Sequence, residues 1–408
     1  MLLTPSPAGA AFGSAPVNPA TAPNGATAMH GDSAASDTTP RPGPGTGPLS
    51  VRTTPFAAAC PSVLVGSDAM PIALCTKILG RAPQVAVLDP ETGSALDTLD
   101  LPKGGLFSGV YTYLDDEDRL VLFDGRGDLL RIGHHRDASG RWRLSINERE
   151  PLGELISGHC GGNGCDAVVG ISPDWQGRVW FATGGGVVGL YDPRKDRGRA
   201  LTLGKEEYVD NSISTAPGVT AVATDHALYE LHAGRDGRPH VVWRRAYDRG
   251  PARKPGQLSW GTGATPTYFG PRTGAEYLAI VDNASPTEHL MVYRSSAKGS
   301  RRAAKPGSVV CRTPVLSAFG SGTENSPIGS GRSVIVASTY GYPYPAYPDH
   351  AGESVPASAP FTGGMARVDV RRRGRGCITR WESAVRSAAV PKLSLVAEPP
   401  SGLARVTV

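Results

Sequence analysis

The sequence predicts an all-β chain, a β-propeller of about seven blades whose last blade is short of a full module. Three observations predict it. A pattern of small polar lead-in, strand, turn and further strands recurs about every 50–60 residues, and such a period signals a repeat architecture. Glycine is abundant, at 52 of 408 residues, while charged residues are 19%. Periodicity of 3.6 sustained over three helical turns is not found anywhere. Short strands radiating from an axis explain all three together, because neighbouring sheets cover each other's faces and leave only short edges.

The chain opens on residues that are almost all Ala, Pro, Gly, Ser, Thr and Asn as far as residue 48. Such a segment buries too little apolar surface to offset chain entropy, so residues 1–48 are expected to be disordered and 49–408 to form the propeller. Met1-Leu2-Leu3 lacks the basic start and apolar core of an export signal, although the small-residue run from Ala8 to Ala15 suits a segment that follows one. No stretch reaches the roughly 18 apolar residues of a membrane span.

The modules follow in order. Their lead-in segments are Ser108-Gly109, Asn163-Gly164-Cys165-Asp166, Asn211-Ser212-Ile213-Ser214-Thr215, Gly261-Thr262-Gly263-Ala264-Thr265, Gly322-Thr323-Glu324-Asn325-Ser326 and Val385-Arg386-Ser387-Ala388. The region around Cys60 lies one spacing earlier. Arg119-Leu120-Val121-Leu122-Phe123 turns at Asp124-Gly125 into Leu129-Leu130-Arg131-Ile132. Arg178-Val179-Trp180-Phe181-Ala182 turns through Gly184-Gly185-Gly186 into Val187-Val188-Gly189-Leu190-Tyr191. Val219-Thr220-Ala221-Val222-Ala223 turns at Asp225-His226 into Ala227-Leu228-Tyr229-Glu230-Leu231. These are β-branched and aromatic runs between Asp and Gly turns. Six modules fit between Cys60 and Ala384. The stretch from Val385 is about half a module, to be completed by a strand near Leu49–Thr53 or left open with an exposed edge.

Six cysteines form an even set. Cys160 and Cys165 flank a glycine-rich loop, which suits a local disulfide; with His159 they supply only three of the four ligands a zinc site needs. Cys60–Cys75 and Cys311–Cys377 are the pairings expected to follow. Disulfides imply an oxidising compartment, extracellular or periplasmic. The formal charge is +5. Its clusters, Arg301-Arg302-Ala303-Ala304-Lys305 and Arg371-Arg372-Arg373-Gly374-Arg375, lack interleaved aromatics and read as solvated hairpin tips rather than a nucleic-acid surface.

Val85-Ala86-Val87-Leu88-Asp89-Pro90-Glu91-Thr92-Gly93 has an apolar pair, an Asp and a Thr-Gly turn. Gly189-Leu190-Tyr191-Asp192-Pro193-Arg194 repeats its first half. Arg367-Val368-Asp369 with Gly376-Cys377-Ile378-Thr379-Arg380-Trp381 repeats it through a closing Trp, and Leu231 through Gly237 to Trp243 does so more loosely. These fragments, spread over about residues 60–385, resemble the PQQ-like repeat of the quinoprotein alcohol dehydrogenase-like propellers. The resemblance implies a propeller with each Trp packed between blades. Enzymatic members of that family bind pyrroloquinoline quinone against a disulfide of adjacent cysteines, with calcium held by Glu, Asn and Asp. This chain has no Cys-Cys pair, and Asp115-Asp116-Glu117-Asp118 falls where a hairpin turn is expected. The resemblance therefore supports the fold more than a quinone-dependent activity.

In a propeller the innermost strands line the axis, which places Asp166, Asn211, Ser212, Thr262, Glu324, Asn325 and Arg386 near it, together with Asp282-Asn283 at a strand end. Oxygens of Glu324, Asn325 and Asn211 suit a hard cation such as calcium. The competing role for these small polar residues is to satisfy backbone groups where strands crowd. Tyr340-Gly341-Tyr342-Pro343-Tyr344-Pro345-Ala346-Tyr347-Pro348 must be a loop. Tyr342 and Tyr344 offer stacking faces to a sugar, an aromatic small molecule or a peptide, or they pack on each other. No nucleophile elbow, P-loop or zinc-protease motif is present. His134-His135 reads as exposed, and His159 stands beside the cysteine loop. The leading expectation is a monomeric, secreted or periplasmic, non-catalytic binding or scaffold propeller. A calcium-dependent hydrolase or lactonase is the alternative, and a quinone-dependent oxidoreductase a weaker one.

Overall fold

The computed structural model describes residues 13, 15–23, 26–39, 51–103, 110–159, 167–300, 305–344, 346–348, 350–387, 392–394 and 405–407. Among these the chain is almost wholly β. Six four-stranded antiparallel sheets follow one another, each with its strands in chain order. The first holds Ala58–Val65, Pro71–Lys77, Pro83–Leu88 and Ala95–Asp100. The second holds Tyr113–Leu114, Leu120–Phe123, Asp128–Arg136 and Trp142–Pro151. The third holds Val168–Pro173, Val179–Thr183, Val187–Asp192 and Arg197–Thr202. The fourth holds Ser214–Ala216, Val219–Ala223, Ala227–Ala233 and Pro239–Ala246. The fifth holds Thr267–Phe269, Tyr277–Val281, His289–Arg294 and Val309–Pro314. The sixth holds Ile328–Ser330, Ser333–Ala337, Met365–Val370 and Cys377–Ser383.

The arrangement is propeller-like. First strands of sheets three to six lie side by side in succession, and those of sheets one and two do the same. The core is divided accordingly into clusters between consecutive sheets. In the fifth sheet Leu278 and Ile280 pack toward the fourth, against Leu228 and Trp243. The alternate residues Tyr277, Ala279 and Val281 pack toward the sixth, against Val334, Val336 and Val368. The second sheet divides likewise, with Leu120 and Leu122 facing the first sheet and Val121 and Phe123 the third. Side chains of a strand alternate between faces, and here both faces are covered. That is why the central strands are continuous apolar runs rather than alternating ones. Gly189 is required by this packing, because a Cβ there would overlap the ring of Phe181.

The closing tryptophans behave differently from one another. Trp243 is buried between the fourth and fifth sheets, and its indole N–H donates to Glu230 Oε2 at 2.6 Å. Trp381, in the fuller match to the repeat, is 37% exposed.

The amino-terminal segment departs from the expected disorder. Residues 26–39 are almost entirely buried. The segment hydrogen-bonds to the first strand of one sheet after another: Ala26 O accepts from Val65 N, Thr27 O from Leu114 N, Ser33 O from Thr215 N and Ala34 O from Tyr268 N. Ser36 O accepts from Gly329 N, and Asp37 O from Leu393 N. Asn18 Nδ2 reaches Pro173 O of the third sheet at 2.9 Å. Thr38–Thr39 then pairs in parallel with Lys392–Ser394, which pairs with Arg405–Thr407 as a seventh, three-stranded sheet. The strand that joins the carboxy-terminal end is thus Thr38–Thr39, not one near residues 49–53. The composition misleads for a physical reason. The segment is rich in small residues that fit beside inner strands, and it gains its order from backbone hydrogen bonds rather than from apolar bulk.

Cys60–Cys75 joins the first two strands of the first sheet, and Cys311–Cys377 ties the outer strands of the fifth and sixth. Both are the expected pairs; Cys160 and Cys165 lie outside the described residues. The separation of 66 residues across Cys311–Cys377 corresponds to about 4 kcal/mol of lost loop entropy in the unfolded chain. The Cys311→Ser/Cys377→Ser variant is expected to melt several degrees lower by scanning calorimetry. A chain lacking residues 1–39 is expected to lose cooperative melting and to become sensitive to limited proteolysis; melting at the full chain's temperature would show the segment to be dispensable.

Candidate functional site

In a four-stranded meander the first and third turns lie at one end of the sheet. The second turn and the connection to the next sheet lie at the other. The lead-in segments therefore share an end with the second turns, and this is where the expected residues meet. Tyr111, ahead of the second sheet, donates its hydroxyl to Asn211 Oδ1, ahead of the fourth. Asn211 Nδ2 donates to Gly263 O, ahead of the fifth, and to Glu324 Oε1 at 3.3 Å, ahead of the sixth. Leu258 N donates to Glu324 Oε2 at 2.8 Å. Four lead-in segments are thereby joined by one hydrogen-bonded chain of side chains.

The site is electrostatically tense. Burial holds the Glu324 carboxyl well above the usual carboxylate range, and the charges of Asp210 and Glu288 push it further against the Leu258 N–H and Arg253. Beside it, burial pushes Glu288 up to about 7, with Lys254 opposing. Lys254 Nζ lies 3.5 Å from Glu288 Oε1 and donates to Ala284 O at 2.6 Å. Gln257 Nε2 donates to the same Glu288 oxygen at 3.2 Å, while Oε2 has no hydrogen-bond partner among the described residues. Burial first, and the Glu324 carboxyl next, also raise the phenols of Tyr111 and Tyr344.

Over this floor runs the long connection between the second and third strands of the sixth sheet, residues 338–364. Tyr342 meets Tyr344 edge-on at 4.9 Å and Phe361 at 5.6 Å. The Arg253 guanidinium lies 4.3 Å over Tyr347. His350 stacks on Tyr208 at 4.4 Å, and its Nε2 is 2.5 Å from Asp210 Oδ1, ahead of the fourth sheet. Gly341 N donates to Pro255 O at 2.9 Å. The loop therefore rests on the lead-ins of two other sheets.

The remaining expected residues serve the backbone. Thr262 is buried, with its N–H on Tyr247 Oη at 2.9 Å. Asn325 Nδ2 faces Ala337 O and Ser387 O at 3.4 and 3.5 Å. Asp282 accepts from His289 N at 2.7 Å, and its other oxygen is 3.1 Å from His289 Nδ1. Asn283 Nδ2 donates to Arg249 O and Ala252 O at 2.7 and 2.9 Å. Ser212 is buried beside Asn211, and Arg386 is exposed. Asp166 lies outside the described residues. The structure thus brings together Asn211, Glu324 and Tyr344, with Tyr342 above them. Sequence reading missed Tyr111, Lys254, Gln257, Glu288 and His350, which stand in no motif and meet only through the fold.

The oxygens named for calcium are engaged in hydrogen bonds within the protein. Both Glu324 oxygens face N–H donors, the Asn211 oxygen takes the Tyr111 hydroxyl, and Asn325 turns its amide nitrogen to carbonyls. Among the described residues no three His, Cys, Asp or Glu side chains gather as ligands. Asp115 is a turn residue, as expected of a hairpin: its Oδ1 accepts from Glu117 N and Arg119 N, the pattern Asp174 repeats with Gln176 and Arg178. The site has aromatic faces above a buried polar floor.

Glu288 and Glu324 both have folded pKa values above the unfolded value near 4.5. The folded protein holds more protons than the unfolded chain from about pH 4.5 up to each folded value, so stability falls as pH rises through that window. Each group contributes a slope of about 1 kcal/mol per pH unit. The Glu324→Gln variant is expected to show a flatter decline in thermal midpoint between pH 4.5 and 7 than the native chain. Parallel curves would contradict the assigned shift.

No family model matches the chain. An uncharacterized protein of Archaeoglobus fulgidus is 26% identical over 223 residues, which cover 53% of this chain and 40% of that protein. The chain thus matches less than half of that relative's length. Among solved structures, a chain of the mitotic checkpoint complex overlaps 70% of this chain and 73% of its own, at 14% identity and a TM-score of 0.40. The structure of U3-55K overlaps 84% of this chain and 86% of its own, at 9% identity and the same TM-score. Among the described residues no helix is long and apolar enough to cross a membrane.

Proposed function

We propose that this protein is an extracytoplasmic, non-catalytic binding propeller of the PQQ-like repeat type, with seven blades. The seventh is the three-stranded sheet that the amino-terminal strand completes. The two disulfides support the compartment, since such bonds persist where the surroundings are oxidising. Six successive four-stranded sheets and the axial course of residues 26–39 support a ring.

The ligand face is the end where the lead-in segments meet. The observation that carries this reading is the loop of residues 338–364. Long connections within compact domains are generally functional. This one brings three tyrosines and a histidine over the joined lead-ins, and its contacts with Pro255, Asp210 and Tyr208 hold it in place. Tyrosine supplies broad amphipathic contact at small entropic cost, which suits a sugar ring or a peptide. Among the described residues no three His, Cys, Asp or Glu side chains gather beside it.

A glycan and peptide array probed with the full chain tests the assignment. Tyr342→Ala and Tyr347→Ala are expected to weaken the strongest hit about tenfold or more, with unchanged melting. Binding indifferent to both substitutions would move the ligand face elsewhere.

A further inference from the structure

The opposite end of the sheets carries a different chemistry. Between the fifth and sixth sheets lies a cavity of about 370 Å³, within the range of small-molecule pockets. Five arginines line it: Arg272, Arg294, Arg332, Arg372 and Arg373, with Glu276 as the one acidic side chain. They come from four separate turns. Arg272 lies between the first two strands of the fifth sheet, and Arg294 closes that sheet's third strand. Arg332 lies between the first two strands of the sixth sheet, and Arg372 and Arg373 between its last two. Arg372 and Arg373, from the run legible in the sequence as a solvated hairpin tip, thus form one wall of a pocket.

The pocket is built, not incidental. Glu276 is already engaged, accepting from Thr273 N at 2.9 Å and lying 3.3 Å from Arg272 Nε. Arg294 Nη2 donates to Gly374 O at 3.0 Å. Gly374 has φ +64°, and a Cβ there would meet the Arg294 guanidinium at 2.8 Å and the Tyr277 hydroxyl at 3.0 Å. Only glycine lets the turn sit so close. Its neighbour Arg373 has φ 62°, in the left-handed region that L side chains rarely adopt. Val370 N donates to Arg332 O at 2.8 Å and locks the two turns of the sixth sheet together. Arg332, Arg372 and Arg373 make no side-chain hydrogen bond or ion pair with the described residues. Unpaired guanidinium groups converging on one cavity supply forked N–H donors for an anion.

We propose that this cavity binds a tetrahedral oxyanion, a phosphate or sulfate ester borne by a small molecule or sugar. Guanidinium forks pair two-to-two with such oxygens, which a scattered lysine surface does not do. The site is independent of the tyrosine loop, which lies at the other end of the same sheets.

Isothermal titration of the full chain with inorganic pyrophosphate at low ionic strength tests this. Saturable binding to one site is expected. Arg372→Ala and Arg373→Ala are each expected to weaken it about tenfold, while Arg375→Ala, the same charge change in an exposed residue outside the lining, leaves it unchanged. Titration with a sugar phosphate and with a sulfated disaccharide then identifies the ester: preference for either supports the proposal and names the source. Absence of saturable binding by all three probes would overturn it. So would equal weakening by Arg375→Ala and Arg373→Ala, because nonspecific charge would then explain the effect. Unchanged melting of the exposed Arg372 and Arg373 variants separates lost binding from lost fold.

Discussion

The structure depends on how backbone groups are satisfied where the first strands of the sheets converge. Those strands are short, and each has one edge without a partner in its own sheet. An unpaired buried N–H or C=O costs as much as a lost hydrogen bond. Residues 26–39 meet that demand by offering one carbonyl after another to Val65, Leu114, Thr215, Tyr268, Gly329 and Leu393. Most of these residues are small, which lets the segment run close beside the first strands. Asp32 shapes the path by accepting from Ala34 N at 2.9 Å and from Ser36 Oγ at 2.5 Å. The space where the first strands meet is thus filled by the chain itself.

Between sheets, a second kind of constraint supplements apolar packing. Glu230 is fully buried and takes hydrogen bonds from Trp243, Tyr268, Ser295 and Ser296. Burial raises its carboxyl above the usual range, although those donors pull the other way. It adds directional contacts across the boundary between the fourth and fifth sheets. Apolar faces alone tolerate sliding, whereas a carboxylate shared among a Trp, a Tyr and a serine backbone fixes one register. Removing any single donor would leave a buried charge partly unsatisfied, which is costlier than losing a neutral hydrogen bond.

The strands were legible in the sequence because turn residues bound them tightly and because their runs are apolar on both faces. The two disulfides were expected only as the pairs that remain beside Cys160–Cys165; the fold brings Cys60 to Cys75 on adjoining strands and Cys311 to Cys377 on the last strands of neighbouring sheets. The lead-in residues were legible as a group but not in their roles. Asn211 and Glu324 sit at an offset comparable to that of Thr262, yet they reach the lead-ins of other sheets while Thr262 turns to Tyr247. Offset along a strand fixes which end a residue occupies, while side-chain direction at the axis follows from the local backbone. Residues 26–39 were illegible because composition reports apolar bulk and not the fit of small side chains beside inner strands.

Filling the space where the first strands meet has a consequence for function. In an open ring of sheets, a ligand at one mouth shares a channel with the other. Here His30 lies within the filling segment, 3.1 Å from Asp37 and 3.0 Å from Thr265, beneath the ring of Tyr111. The buried polar floor at the lead-in end therefore rests on the chain's own amino-terminal segment, and the arginine-lined cavity lies at the far end and off the axis between two sheets. The two ends are separated by packed protein and present contrasting surfaces, aromatic over a raised-pKa carboxyl at one and cationic at the other. Selection of a ligand at either end is then a local matter of those side chains. The sheets serve as the rigid support that holds the two surfaces apart.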